Sequence, residues 1–371
     1  MKVYIRADAS RDIGSGHVMR CLTLADRLRA RHGADVVFLC REHDGSMIPY
    51  IRGRGYEVDA FPRASSPEAE ARTETMEEAL PAHAHWLGAH WTFDAEQTIE
   101  ALTKRRGRPE PADWLVVDHY ALDRRYEEKV RPYVKKLMVI DDLADRPHLC
   151  DVLLDQNLDA ETGFRYRDLV EPGTRLLIGP RYALLREEFA ESRPLVRRDG
   201  SIRRVLISFG GVDRTGETSK TLTALAPLAE AGLEITVLAG GANRDAGKIA
   251  DLCASLPNVR FHRHAERVAP LMLKADAAIG AGGSSTWERC CLGLPALIVT
   301  TAANQETLTE RAAQAGAVRW LGRSEEVDPA LIREAVLTMR QHSQRVLWMS
   351  ARAMELTDGL GADRIAKELE P

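Results

Sequence analysis

Apolar residues fall in two rhythms along the chain. Short, almost continuous apolar runs recur at Val36–Cys40, Trp114–Val117, Leu137–Ile140 and Val152–Leu154, and again at Val205–Phe209, Ile235–Ala239, Ala277–Ile279 and Ala296–Val299. A run of four or five without polar alternation reads as a strand buried on both faces. Between the runs the period changes. Val18, Cys21, Leu22, Ala25 and Leu28 lie on one face at helical spacing. Lys2–Arg6 predicts an opening strand, Met47–Arg54 a short helix, Tyr56–Ala60 a weaker strand and residues 343–369 one or two amphipathic helices. Buried strands separated by helices predict parallel sheets covered on both sides.

The rhythm breaks twice. Residues 62–112 are polar and irregular, with one helix predicted around Ala95–Arg105. Residues 160–200 are rich in Arg, Glu and Pro, with a charged helix around Ala183–Glu191. The expected organisation is α/β: a Rossmann-like domain over 1–160, a linker over 161–200, a second Rossmann-like domain over 201–342 and C-terminal helices over 343–371. Two such domains with glycine loops at their strand ends imply a central cleft.

Composition narrows the classes. The chain has 371 residues, 44% hydrophobic and 29% charged, with a net charge of −4. Interspersed charge argues against a dedicated nucleic-acid binder. No apolar run approaches membrane-spanning length, and the N-terminus enters a strand without a signal-peptide pattern. The six cysteines form no C-x-x-C and lie mostly in apolar runs, as expected of reduced, packed thiols in the cytoplasm. Oligomeric state is open, with a monomer compatible.

The candidate chemistry sits in loops after strands. Ile5–Ala25 reads strand, loop, helix, with Gly14 and Gly16 in the loop and His17 at the helix start. A helix start presents free N–H groups and a positive dipole end to an anion. The dinucleotide fingerprint requires a third glycine where Met19 stands, and the chain has no P-loop. In the second half, Gly210-Gly211 follows one strand, and Gly280 to Ser285 precedes a helix carrying Glu288 in its first turn. Gly282, Gly283, Ser284 and Ser285 suit a diphosphate. Glu288 is either a dipole-complementing acid or an acceptor for ribose hydroxyls. Asn304, Gln305 and Glu306 open the next helix, with Asn304 read as an N-cap. Asp118-His119-Tyr120 is either a hydrogen-bonded trio at a strand end or local capping. His83, His85 and His90 read as solvated surface, and Asp141, Asp142 and Asp145 as turn caps in preference to a Mg²⁺ site. No metal or cofactor is expected.

These motifs carry a resemblance. The strings RADASRDIGSGHVMRCLTLA, VVDHYALD, IDDLADRPHLCDVLLDQN and GPRYALLREEF, with the glycine-serine loop, Glu288 and NQE, resemble the nucleotide-sugar hydrolases of the pseudaminic-acid pathway. Those enzymes cleave UDP-2,4-diacetamido-2,4,6-trideoxy-β-L-altrose to UDP and the free sugar. The second half also looks similar to the UDP-N-acetylglucosamine transferase of peptidoglycan synthesis. The resemblance implies the GT-B architecture, with C-terminal helices crossing back to the first domain. It implies His17 as the catalytic residue, Tyr120 and Asn304 at the sugar and diphosphate, and Ser284, Ser285 and Glu288 at the nucleotide. Arg6, Asp8, Gly14, Gly16, Arg20, Gly210, Gly211, Gly282, Gly283, Gln305 and Glu306 complete the expected UDP-sugar contacts.

The expected chemistry is water attack at the anomeric carbon with inversion, since UDP leaves readily and no carboxylate pair at retaining spacing is legible. The competing readings are a GT-B glycosyltransferase with a UDP-sugar donor, and a non-catalytic nucleotide-sugar binder.

Overall fold

The computed structural model describes residues 1–63, 80–104, 111–158, 164–241 and 243–370. Among these residues thirteen strands build two sheets. The first holds β1 (Lys2–Ala7), β2 (Asp35–Arg41), β3 (Glu57–Phe61), β4 (Ala112–Asp118), β5 (Val134–Ile140), β6 (Val152–Asp155) and β7 (Arg175–Ile178), in the order β3-β2-β1-β4-β5-β6-β7. The second holds β8 (Arg204–Ser208), β9 (Glu234–Leu238), β10 (Val259–His262), β11 (Ala277–Ala281), β12 (Ala296–Thr300) and β13 (Arg319–Arg323), in the order β10-β9-β8-β11-β12-β13. Every pairing is parallel.

The period-2 geometry of strands explains the continuous apolar runs. In β1, Val3 and Ile5 face one core with the helix Gly16–His32, while Tyr4 faces the other. In β2, Val36, Phe38 and Cys40 join the first core, and Val37 and Leu39 the second. Both faces are covered, so neither set is polar.

The two sheets belong to two units, Met1–Leu184 with Ala362–Pro371, and Leu185–Gly361. Two expectations change here. The stretch 161–200 is not a linker. Its first half contains β7, an edge strand of the first sheet, and its second half is stapled into the second unit. Arg193 donates to the carbonyls of Cys291 (2.8 Å), Met354 (2.7 Å) and Thr357 (2.9 Å). Arg198 donates to those of Met272 and Leu292 (both 3.1 Å) and to Ala275. These guanidiniums cap carbonyls at helix C-termini, so the Arg-rich composition is structural. The C-terminal helices also divide. Ser343–Leu356 packs in the second unit, where Val346 enters the core and Ser350 Oγ donates to Gly293 O (2.6 Å). Only Gly361–Glu368 joins the first, inserting Ala362, Ile365 and Ala366 into its core, with Leu369 just beyond.

In each sheet the strand order reverses at one place, between β1 and β4 and between β8 and β11. In open parallel sheets, ligands bind at the carboxyl ends of the strands flanking such a reversal. The His17 loop follows β1 and Asp118-His119-Tyr120 ends β4. Gly210-Gly211 follows β8 and the glycine-serine loop follows β11. All six cysteines are buried and free of disulfides.

Candidate active site

The loop between β1 and its helix is tied down before the helix begins. Ser10 Oγ accepts from the amides of Asp12 (3.0 Å) and Ile13 (2.9 Å), and Gly14 N–H donates to Ser10 O (2.9 Å). Gly14 has φ +80°, a value that favours glycine. The helix starts at Gly16, so His17 lies in its first turn.

Residues three and four apart share a helix face. His17, Arg20 and Cys21 all reach one acceptor, Asp118 at the end of β4. His17 Nδ1 is 2.6 Å from Oδ1. Arg20 donates to Oδ1 and Oδ2 at 2.6 Å each, and Cys21 Sγ lies 3.4 Å from Oδ2. Burial alone pushes the Asp118 carboxyl up. Arg20 and His17 outweigh it and hold the group well below the usual carboxylate range. Asp118 is therefore an anion, and the proton in its 2.6 Å contact sits on His17 Nδ1. That tautomer leaves Nε2 as the acceptor.

Tyr120 forms the next layer. Its hydroxyl donates to Asp142 Oδ1 (2.5 Å), and Arg20 donates to Asp142 Oδ2 (2.9 Å). Burial and Asp142 raise the phenol well above its ordinary value, so Tyr120 is a donor and not a base. Its ring meets His17 edge-on, with centroids 4.6 Å apart. Asp118, His119 and Tyr120 are thus not one trio. Asp118 holds His17, Tyr120 holds Asp142, and His119 approaches Asp8 at 3.3 Å.

Three expected substrate contacts, Arg6, Asp8 and Arg20, are corrected. Arg6 and Asp8 are both fully buried. Arg6 donates to Asp8 (2.6 and 2.8 Å), to Asp94 (2.9 and 2.7 Å) and to Leu39 O (3.3 Å). Its donors are spent inside the protein. Asp8 also accepts from Arg41 N–H (2.7 Å). This buried network fixes the base of the loop. Arg20, at 7% exposure, is a positioning group for Asp118 and Asp142. Asp141 pairs with Arg146 (2.9 Å) and accepts from Ala144 N–H (2.9 Å), and Asp145 pairs with Arg146 (2.7 Å). Among the described residues no group of His, Cys, Asp and Glu has the arrangement of a metal site.

The region expected to be irregular supplies part of the site. The helix Trp91–Lys104 carries Asp94, which binds Arg6 and also Arg41 (2.7 Å). His85 is exposed as expected, but His83 is half-buried against Trp86 and Tyr120. Sequence reasoning missed Asp94, Arg41 and Trp86. Only the polarity of Asp94 within an apolar helix face could have signalled one of them.

The second unit's loop is built differently. Gly282 is a close-approach position, since a Cβ there would lie 2.5 Å from Thr309 Oγ1 and 3.0 Å from Gln305 Cβ. Gly283 and Ser284 lead into the helix Ser285–Cys291. Beneath them lies Arg289, buried, donating to Ala281 O (2.8 Å), Thr286 Oγ1 (3.1 Å) and Ser285 Oγ (3.2 Å). Burial lowers it to about 10, so it is charged at neutral pH. It makes no ion pair among the described residues. A buried cation under a glycine-serine turn suits an anion, and sequence reasoning missed it. Glu288 stands 3.4 Å from Arg186, and burial raises its carboxyl above the ordinary value. Gly210 and Gly211 are exposed at the end of β8.

Asn304 is not an N-cap. It is exposed within the 3₁₀ turn Ala303–Gln305, ahead of the helix Glu306–Gln314. Gln305 Oε1 accepts from Thr301 N–H (3.0 Å), and Glu306 pairs with Arg323 (2.8 Å). Both side chains are engaged locally, which leaves Asn304 the available amide of the three.

Comparison with known proteins bears on the fold and on sequence similarity. Residues 212–368 match the model of the glycosyltransferase family 28 C-terminal domain. UDP-2,4-diacetamido-2,4,6-trideoxy-beta-L-altropyranose hydrolase of Campylobacter jejuni is 26% identical over 318 residues, covering 85% of this chain and 97% of that protein. The spore coat polysaccharide biosynthesis protein SpsG of Bacillus subtilis is 28% identical over 208 residues, 56% of this chain and 61% of that protein. An uncharacterised protein of Methanocaldococcus jannaschii is 22% identical over 81% of this chain, and the match spans 55% of its length. Among solved structures, MurG of Acinetobacter baumannii superposes with a TM-score of 0.65 at 14% identity, covering 99% of both chains. The chain therefore has the GT-B fold of MurG and is similar in sequence to a nucleotide-sugar hydrolase.

Proposed function

We propose that this protein hydrolyses a UDP-linked diacetamido-trideoxy sugar to UDP and the free sugar. The observation that carries the reading is the 2.6 Å pairing of His17 Nδ1 with an ionised Asp118. It leaves His17 Nε2 to take a proton from water, as Asp118 stabilises the imidazolium that forms. The water oxygen bonds to the anomeric carbon as the bond from that carbon to the diphosphate oxygen breaks. The electron pair leaves with UDP, which needs no proton at neutral pH. His17 then returns its proton to solvent. One displacement inverts the anomeric centre. Tyr120 and Asn304 contact the sugar and diphosphate, while Gly282–Ser285, Arg289 and Glu288 bind the nucleotide.

The reaction is proposed to be metal-independent. Asp141, Asp142 and Asp145 are already engaged by Arg146, Arg20 and Tyr120. Activity is expected to survive exhaustive EDTA treatment, and rescue of a chelated enzyme by Mg²⁺ would refute this part.

The family 28 match favours a second reading, transfer of the sugar to an acceptor. Incubation with the UDP-sugar and no acceptor separates the two. Hydrolysis gives free UDP and free sugar, and ¹⁸O from water enters the sugar at its anomeric carbon. Silence broken only by an added acceptor supports transfer, and label in UDP means attack at phosphorus.

A further inference from the structure

The segment ahead of the helix Trp91–Lys104 lies outside every motif that pointed to the site, yet it reaches Tyr120. Trp86 stacks on the Tyr120 ring with centroids 5.7 Å apart and planes inclined by 26°. His83 meets Trp86 edge-on at 4.6 Å and Tyr120 at 5.4 Å. Tyr120 in turn touches His17 at 4.6 Å. Four rings thus form one continuous surface ending at the proposed base. The segment is anchored at both sides, by buried Leu87 and by Asp94 in its double pairing with Arg6 and Arg41.

One polar atom in this surface is unsatisfied. His83 Nδ1 is buried and has no hydrogen-bond partner among the described residues. Burial also lowers the His83 pKa, so the ring is neutral at pH 7. A buried polar atom without a partner costs free energy that a ligand group can recover. The flat indole face of Trp86 suits the apolar face of a pyranose, and a neutral imidazole nitrogen suits a hydroxyl or an acylamino group on its edge.

We propose that His83 and Trp86 are sugar-contact residues of the His17 site, with Trp86 covering the apolar face of the pyranose and His83 Nδ1 hydrogen-bonding to one of its substituents. This rests on the nucleotide-sugar reading above. The contact sets sugar specificity and takes no part in proton transfer.

The test places His83→Phe, His83→Asn and Trp86→Ala in the slow His17→Asn background and compares them with that parent by calorimetry with UDP and with UDP-2,4-diacetamido-2,4,6-trideoxy-β-L-altrose, while UDP release is followed in wild type. Phe keeps the packing ring and removes the nitrogen. Asn keeps a polar atom near Nδ1 and removes the ring. The expected result is a roughly tenfold loss of affinity for the nucleotide sugar in His83→Phe, the scale of one hydrogen bond. His83→Asn should retain most of the affinity, Trp86→Ala should lose at least as much as His83→Phe, and UDP alone should bind unchanged throughout. A packing role predicts the reverse order, with Phe tolerated and Asn damaging, and that order overturns the proposal. So does a His17→Asn parent that binds the nucleotide sugar no more tightly than UDP. A parent that binds the nucleotide sugar more tightly than UDP, beside a wild type that releases no UDP, leaves the contact standing and overturns the hydrolase reading instead.

Discussion

The loop after β1 and the loop after β11 each flank the reversal in their sheets, and they are made of different materials. The first is dense in charge. Asp118, Arg20, Asp142, Arg6, Asp8 and Asp94 are paired across 6–142 of the sequence, and each buried ion has a counter-ion. The second is built from glycine, serine and backbone over one buried arginine that makes no ion pair among the described residues and feels only the nearby charge of Glu288. The contrast follows from what each must hold. A proton acceptor must be fixed in one tautomer, which needs permanent charges placed against it. A diphosphate brings its own charge, so its cradle needs close backbone approach and small side chains. The first loop is therefore expected to be sensitive to charge and the second to volume.

The largest effect is expected at His17. His17→Asn should lower UDP release by roughly 10²–10⁴, the range for losing a general base, while calorimetry gives an unchanged UDP affinity. Near-normal turnover would make His17 a helix-start residue with no chemical role.

Asp118→Asn should approach the same loss, because an amide can present its N–H to Nδ1 and stabilise the wrong tautomer. The His17/Asp118 double variant should be little worse than either single one, since the two act as a unit; additive losses would separate them. Stability should fall as well, by up to about 3–5 kcal/mol, since Arg20 loses a buried partner. The sign with pH follows from the depressed carboxyl. Its contribution is present above the ordinary carboxylate pKa and is lost as pH falls through the folded value. Acid unfolding followed by circular dichroism should be shallower in the variant.

In the second unit the effects are smaller and fall on binding. Glu288→Ala should weaken UDP binding by about 1.5–3 kcal/mol, the scale of a charged hydrogen bond. Burial raises the Glu288 carboxyl, so wild-type affinity should decline as pH falls through that raised value, and the decline should vanish in the variant. Gly282→Ala should cost about 1–3 kcal/mol of UDP affinity through overpacking against Thr309. Adding Thr309→Ala should restore part of it. Failure of that rescue would mean that the loop is sensitive to something other than volume.

Much of this division was legible in the chain. The buried strands, the loops that follow them and His17 at a helix start could be read from runs, glycines and spacing. The cluster on one helix face was implicit in His17, Arg20 and Cys21 at intervals of three and four. The roles of Arg6 and Asp8 were not. A charged pair beside a loop reads the same whether it faces ligand or core, and burial depends on Asp94 arriving from a segment nearly 90 residues away. The Arg- and Pro-rich stretch was misread for a related reason. Arg193 and Arg198 look like solvated linker until helix ends supply carbonyls for them to cap.

The sequence alone determined the local periods, the parallel α/β class and the positions of the loops, because these depend on residues within a few places of one another. Tertiary structure decided which carboxylate would hold His17, which arginines would be spent internally, that β7 completes the first sheet, and that Trp86 and His83 would meet Tyr120. Those outcomes rest on pairings between strands and segments far apart in the chain. The desolvation and counter-charge that define each ionisable group exist only once those segments have packed.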